Sequence, residues 1–310
     1  MAPVRSFISL FINLMSFLYL RNSSVKVLKT VNHGLPTFKK KERSASSLGL
    51  GRKRYSLFEF MKKVYYFLWA RIPTPMSYLV THKLVAGRYY ESASDENKIK
   101  VIKGHCHNYN RYVSSKTKPT SASTSLDTIV FIDTPGPFFS SDHVLTGDKV
   151  HKTVDIWYPS LCRFFDRLES MYDAKVVVSA HYLSDISKLP DIFGGREVFY
   201  GYTNKLVSES KLVVTEQSSA TAFAAIYNKP VMFIYSDESK SDSVVMRFSD
   251  NMSEILRQPK VNINKIDEIP SILPVVDDMT YQKYRHQWLT SDPEGLTNAQ
   301  HIEVEVLEQS

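Results

Sequence analysis

Cysteine is scarce in this chain. Its 310 residues include two, Cys106 and Cys162, and no Cys-x-x-Cys pair. That argues against a disulfide framework and against a zinc site, and it fits a reducing compartment. Long apolar runs are missing as well: the stretch 6–20 is strongly apolar but falls short of the ~20 residues that span a bilayer. No zinc-finger spacing, RNP-like run or helix-turn-helix pattern is present, which disfavours nucleic acid as a partner. Acidic residues are rare at the start. Positions 1–118 carry 22 Lys and Arg against 5 Asp and Glu, and the remainder carries 17 against 27. The net charge of +7 therefore hides a first third at +17 and a remainder at −10. Such a basic segment calls for an anionic partner or a membrane surface.

What is present describes a globular protein, with 43% hydrophobic and 23% charged residues and a length sufficient for two domains. In 6–20 the polar residues Ser6, Ser9, Asn13 and Ser16 recur at helical spacing, which predicts a helix with a narrow polar stripe. A buried or interfacial helix, a domain-core element and a signal or anchor all fit it. Residues 25–31 suit a strand, and 39–54 a basic loop rich in Ser and Gly. The stretch 55–69 is amphipathic and aromatic, with Phe58, Met61, Tyr65 and Leu68 beside Lys62 and Lys63. It fits a helix on a membrane surface or against a core. A strand at 98–103 leads into His105 and His107, which would share one face of it; two histidines with no third ligand nearby are a weak metal signal. The run KTKPTSASTS at 116–125 reads as a linker.

Beyond it the pattern turns regular. The stretch around which the chain is organised is KLVVTEQSSATAFAAIYNKPVMFIY, 211–235. It reads as a buried strand, a helix of small apolar residues from Ser218 to Tyr227, a stop at Asn228-Lys229-Pro230, and a second buried strand. Glu216, Gln217, Ser218 and Ser219 fall at the strand-to-helix junction, where free N–H groups suit a phosphate; Ser218 acting only as an N-cap is the plainer alternative. Other units end alike. A strand at 128–132 ends at Asp133, and one at 175–179 ends at His181. A strand at 196–200 ends at Gly201-Tyr202-Thr203. A helix is expected over 154–172, another over 244–256, and a last strand at 261–263. This alternation predicts an α/β fold with a doubly wound parallel sheet. Right-handed crossovers then place Asp133, His181, Gly201, Thr203, Glu216, Ser218, Ser219 and Asp237 on one sheet edge, where ligands bind in open α/β sheets.

His181 at a strand end, followed by EVFYGYTNKLVSESKLVVTEQSSATAFAAIYNKPVMFI, resembles the donor-binding half of GT-B glycosyltransferases of bacterial capsule and lipopolysaccharide synthesis. Polysialyltransferases and the glycerophosphotransferases of teichoic acid synthesis share the scheme. The resemblance covers about 128–236, and it extends more weakly to NYNRYV at 108–113, which is similar to a recurring Tyr-Asp-x-Tyr element. The family's His-Pro is His181-Tyr182 here.

The resemblance implies a GT-B-like pair of Rossmann-like domains: a basic acceptor- or membrane-facing domain at 1–118, a linker at 119–126, a nucleotide-donor domain at 127–275 and a tail helix with its extension at 276–310. It implies a nucleotide-sugar donor, UDP- or CMP-linked, whose phosphates meet His181, Ser218, Ser219 and Thr221 near Gly201 and Thr203, with Glu216 on the ribose. The Asp-x-Asp pair by which GT-A enzymes hold a metal is absent, so metal-independent transfer is expected. The acceptor would be a surface polysaccharide or lipid-linked glycan, with the protein peripheral on the inner face of an anionic membrane. The long loop 134–151 carries Asp142 and His143, candidates for the base that takes the acceptor's proton. A non-catalytic scaffold of a synthesis complex and a glycerophosphotransferase-type polymerase are the alternatives.

Overall fold

The computed structural model describes residues 26–31, 79–92, 99–116, 127–134, 137, 151–181, 191–292 and 295–307. The expected helices at 6–20 and 55–69, the basic loop at 39–54 and the linker at 119–126 lie outside them.

The chain divides into two compact units. The first takes most of a three-stranded sheet, order β1-β2-β3, formed by β1 (Val27–Val31), β2 (Val80–Ala86) and β3 (Lys100–Gly104). The second contains residues 85–93 and everything from Lys103 on among the described residues. It includes the short helix α1 (Arg88–Ser92) and α2 (His107–Lys116).

The second unit is built on six strands: β4 (Thr128–Ile132), β5 (Lys175–Ala180), β6 (Val198–Tyr200), β7 (Leu212–Thr215), β8 (Val231–Tyr235) and β9 (Lys260–Asn262). Every pairing is parallel and the order is β6-β5-β4-β7-β8-β9. Counted from β4 this is 3-2-1-4-5-6, the Rossmann order. The inner strands β4, β5, β7 and β8 are apolar and buried along nearly their whole length, as sheets covered on both faces require, while β6 at the edge is half-buried to exposed.

The long helix α3 (Val154–Tyr172) returns the chain from β4 to β5. Its Trp157, Leu161, Phe164, Phe165 and Leu168 pack with alternate strand residues: Ile129 and Phe131, Val176 and Val178, Leu212 and Val214, Met232 and Ile234. Each such side chain contributes about 1.5–3 kcal/mol by leaving water. From β6 onward the chain travels in the opposite direction across the sheet. Right-handed crossovers therefore carry α4 (Thr203–Glu209), α5 (Thr221–Ile226) and α6 (Ser243–Leu256) over the other face. There Phe248 of α6 meets Phe233 of β8 edge to face. The stop predicted after α5 is real: Asn228 adopts a left-handed φ of 51°, and the Lys229 N–H closes on the Ala224 carbonyl.

The tail forms α7 (Asp278–Tyr284), which runs on as a π-helical turn through Leu289. Asp277 caps it by accepting from the N–H groups of Met279 and Thr280. Arg285 donates to Ala225 O and Asn228 Oδ1, capping the end of α5 with a cation. Beyond it, Thr290 bridges His105, and α8 (Asn298–Ile302) follows.

Candidate functional site

Two carboxylates stand side by side where the strand order reverses. Ile132 of β4 is in register with Thr215 of β7, so the next residues, Asp133 and Glu216, sit together at the carboxyl edge of the switch point. Both are buried, Glu216 at 1% exposure and Asp133 at 5%. Two carboxylates in so dry a place need a cation for either to stay charged, and Lys152, two residues ahead of α3, supplies it. Its Nζ donates to Glu216 Oε2 and lies 4.3 Å from the centre of the Trp157 ring. Thr134 Oγ1 donates to the same carboxylate oxygen at 3.3 Å. Glu216 thereby ties Thr134, just after β4, to Lys152, just ahead of α3. Glu216 Oε1 and Thr215 Oγ1 are buried with no hydrogen-bond partner.

Asp133 continues the ladder past β4, its N–H donating to Ser179 O at 3.0 Å. Desolvation drives its carboxyl up to about 7, opposed by backbone N–H donors from His181 and Thr134 and by Lys152, and assisted by Glu216. Burial and then the neighbouring Asp133 push the Tyr158 hydroxyl up as well.

Beside this cluster lies the serine turn. Residues 218–220 form a turn, and α5 begins at Thr221 and holds six residues, shorter than the helix expected from Ser218. The difference follows from the side chains. Ser218 Oγ accepts from the Ala220 N–H at 3.2 Å, while Thr221 Oγ1, fully buried, donates to Ser218 O at 2.7 Å. Hydroxyls that bond the local backbone favour turns over helix interiors. Ser219 is exposed and Ser218 half-buried. On the other side of β4, Gly201 holds a left-handed φ of 77° after β6, and Thr203 Oγ1 lies 2.7 Å from Ser179 Oγ. His181 is half-buried at the end of β5.

The edge thus brings His181, Gly201, Thr203, Glu216, Ser218 and Ser219 to the ends of neighbouring strands. Asp237 stands apart at the outer strands. It is paired with Lys240 and bonded by Asn262, which hold its carboxyl below the usual carboxylate range. Asp142 and His143 lie outside the described residues.

Three contributors escaped the sequence reading. Lys152 had a partial signal: Asp and Glu at two strand ends demand a cation once those strands are neighbours. Asn108 and Arg111 did not. They lie one turn apart on α2, far away in sequence. Asn108 Nδ2 donates to Ser219 O at 2.8 Å, and Arg111 Nη2 donates to Gly201 O at 2.9 Å. One helix therefore steadies both turns, and it brings a guanidinium to this edge. The NYNRYV element lies within this helix.

His105 and His107 do not share a strand face. His107 opens α2, and His105 is fully buried with both ring nitrogens engaged, Nδ1 with Thr290 Oγ1 and Nε2 with Leu296 O, each at 2.8 Å. Among the described residues no group of three or more His, Cys, Asp or Glu side chains is arranged to hold a metal ion. No described helix is long and apolar enough to cross a membrane.

No protein-family model matches the chain, and no curated protein matches it. Solved structures do. The Methanocaldococcus jannaschii UDP-GlcNAc 2-epimerase, in complex with UDP-GlcNAc and UDP, aligns at 12% identity and a TM-score of 0.40 over 75% of this chain and 62% of its own. The wall teichoic acid polymerase TagF aligns at 16% and 0.39, over 77% and 62%. MurG of Acinetobacter baumannii aligns at 10% and 0.39, over 95% and 70%. The chain thus spans less than two thirds of the first two proteins. The α/β class and the Rossmann order stand on the strand pairings themselves.

Proposed function

We propose that this chain is a metal-independent, nucleotide-sugar-dependent transferase with a GT-B-like pair of domains. It moves a sugar from a UDP- or CMP-linked donor to a surface polysaccharide or lipid-linked glycan. The observation that carries the reading is the Rossmann switch point closed by Asp133, Lys152 and Glu216, with the Ser218-Ser219 turn and His181 beside it. It falls on the stretch that resembles donor-binding halves.

The acceptor oxygen bonds to the anomeric carbon as the bond from that carbon to the donor phosphate breaks, and the electron pair leaves with the nucleoside phosphate. Ser218, Ser219 and His181 stabilise that growing charge, assisted by Arg111 across the Gly201 turn. Thr221 acts indirectly, holding the serine turn through its bond to Ser218 O. Glu216 offers its unpartnered Oε1 to a ribose hydroxyl, while Lys152 and Thr134 fix Oε2. The acceptor's proton goes to Asp142 or His143 on the 134–151 loop. Basic segments at 39–54 and 55–69, with 6–20, hold the protein to the inner face of an anionic membrane.

Calorimetry against UDP, CMP, CDP, GDP and TDP tests the donor site. One of these binds the parent protein, and His181→Ala or the Ser218→Ala/Ser219→Ala pair weakens it without unfolding; unchanged affinity in the double serine variant refutes the assignment. Asp142→Asn or His143→Ala should lower transfer about 10²-fold or more with donor binding intact. A scaffold role is favoured by the near-complete burial of Glu216, and absence of any nucleotide binding would select it.

A further inference from the structure

A cationic cleft of the second unit lies away from the donor edge. It lies at the opposite, amino-terminal edge of the sheet, where α7 crosses. Tyr281 of α7 donates to the Lys229 carbonyl just before β8, and Arg257 lies in the turn between α6 and β9. Strands of five residues, roughly 16 Å, separate this edge from the switch point. The cleft measures about 960 Å³ and is lined by Arg88, Tyr89, Arg257, Gln282, Lys283 and His286 among others.

Its charge is unbalanced. Arg88, Lys283 and His286 make no ion pair among the described residues. The carboxylate in the lining, Asp277, is already engaged: it caps α7 and pairs with Arg257 at 3.0 Å. Cations converging on a concave wall without counter-charges repel one another, so an anion seated there relieves the repulsion as well as gaining charge-assisted hydrogen bonds. The remaining wall is neutral. Tyr89, 38% exposed, is backed by the Trp288 ring at 4.3 Å, and Gln282 offers amide groups. The volume exceeds what one phosphate fills and lies in the range of small-molecule sites. An adjoining cleft of about 430 Å³ shares Arg257 and Lys283 and adds Glu254 at its far side.

We propose that this cleft is a second binding site, for a polyvalent oxyanion: a phosphorylated or carboxylated ligand up to the size of a sugar phosphate, its charged part on Arg88, Lys283 and His286 and its neutral part along Tyr89. A concave pocket lined by several cations suits such a molecule better than a flat lipid surface. The inference is independent of the donor site.

The test is calorimetry with inorganic tripolyphosphate, comparing the parent protein, Arg88→Glu/Lys283→Glu, Ser218→Ala/Ser219→Ala, and Lys175→Glu as an exposed charge control outside the cleft. Arg88, Lys283 and Lys175 are exposed, so the reversals leave folding intact. Binding to the parent that weakens with salt, falls about tenfold or more in the cleft variant, and persists in the other two supports the site. No binding to the parent, or equal binding by the cleft variant, overturns it. So does loss that follows the serine variant, which would put the anion at the donor edge. Binding to phosphatidylglycerol vesicles that the cleft variant abolishes, with no response to tripolyphosphate, overturns the small-ligand assignment in favour of a lipid surface.

Discussion

Replacing Asp133 by Asn should change how stability depends on pH. In the folded protein this carboxyl titrates near 7, against an ordinary value of 3.8. Between those values the folded state keeps a proton that the unfolded chain has released. Stability therefore falls as pH rises through that window, by about 1.4 kcal/mol per unit, and levels off above pH 7 at a loss of roughly 4 kcal/mol. Below pH 3.8 both states are protonated and the group contributes nothing to the slope. The amide of the Asp133→Asn variant would carry no titrating proton, yet its carbonyl can accept from the same N–H groups of His181 and Thr134. Urea unfolding of both proteins at pH 5, 6, 7 and 8 isolates the effect of Asp133 and the groups coupled to it, because titrating groups elsewhere cancel in the difference. The variant should gain about 3 kcal/mol relative to the parent between pH 5 and 8. Parallel curves for the two proteins would refute the argument that Asp133 is held in a dry site beside Glu216.

Lys152→Met should destabilise the second unit by about 3–5 kcal/mol, because it leaves Glu216 buried without its counter-charge. The double variant Lys152→Met/Glu216→Gln should recover most of that loss in chemical denaturation; equal loss in both would mean that Lys152 acts through its packing on Trp157. Gly87→Ala should cost roughly 1–3 kcal/mol or more. Gly87 has a φ of 81°, and a Cβ there would meet the Gln287 carbonyl oxygen at 2.5 Å. A thermal midpoint unchanged from the parent's would contradict that close approach.

The doubly wound sheet was legible because its strands are short apolar runs separated by helices of the right length. The helix at 154–172 shows its period without help from its surroundings, and it forms over those residues. The strand ends at Asp133, Glu216 and Gly201 were legible for the same reason. Where reading failed, local signals competed. Ser218 and Thr221 look like the start of a helix, but their hydroxyls bond the turn and delay it. His105 and His107 look like a strand pair, but the chain turns into α2 between them, and His105 is taken up by Thr290 and Leu296, some 185 or more residues away.

For the six-stranded sheet the sequence by itself determined which segments are strands, to within a residue or two at their ends, and that polar residues collect at those ends; β2 (Val80–Ala86) it did not mark. Periodicity and turn chemistry act over a few residues, so they need no partner to be read. Strand order, and with it the pairing of Asp133 with Glu216 at the switch point, was decided only by tertiary structure. So was the choice of Lys152 as their counter-charge, the reach of Asn108 and Arg111 onto the Ser219 and Gly201 carbonyls, and the gathering of Arg88 with Lys283 and His286 around one cleft. These contacts join residues from 64 to nearly 200 positions apart. They exist because burying each apolar face fixes how the elements stack, and the polar groups are carried to wherever that stacking leaves them.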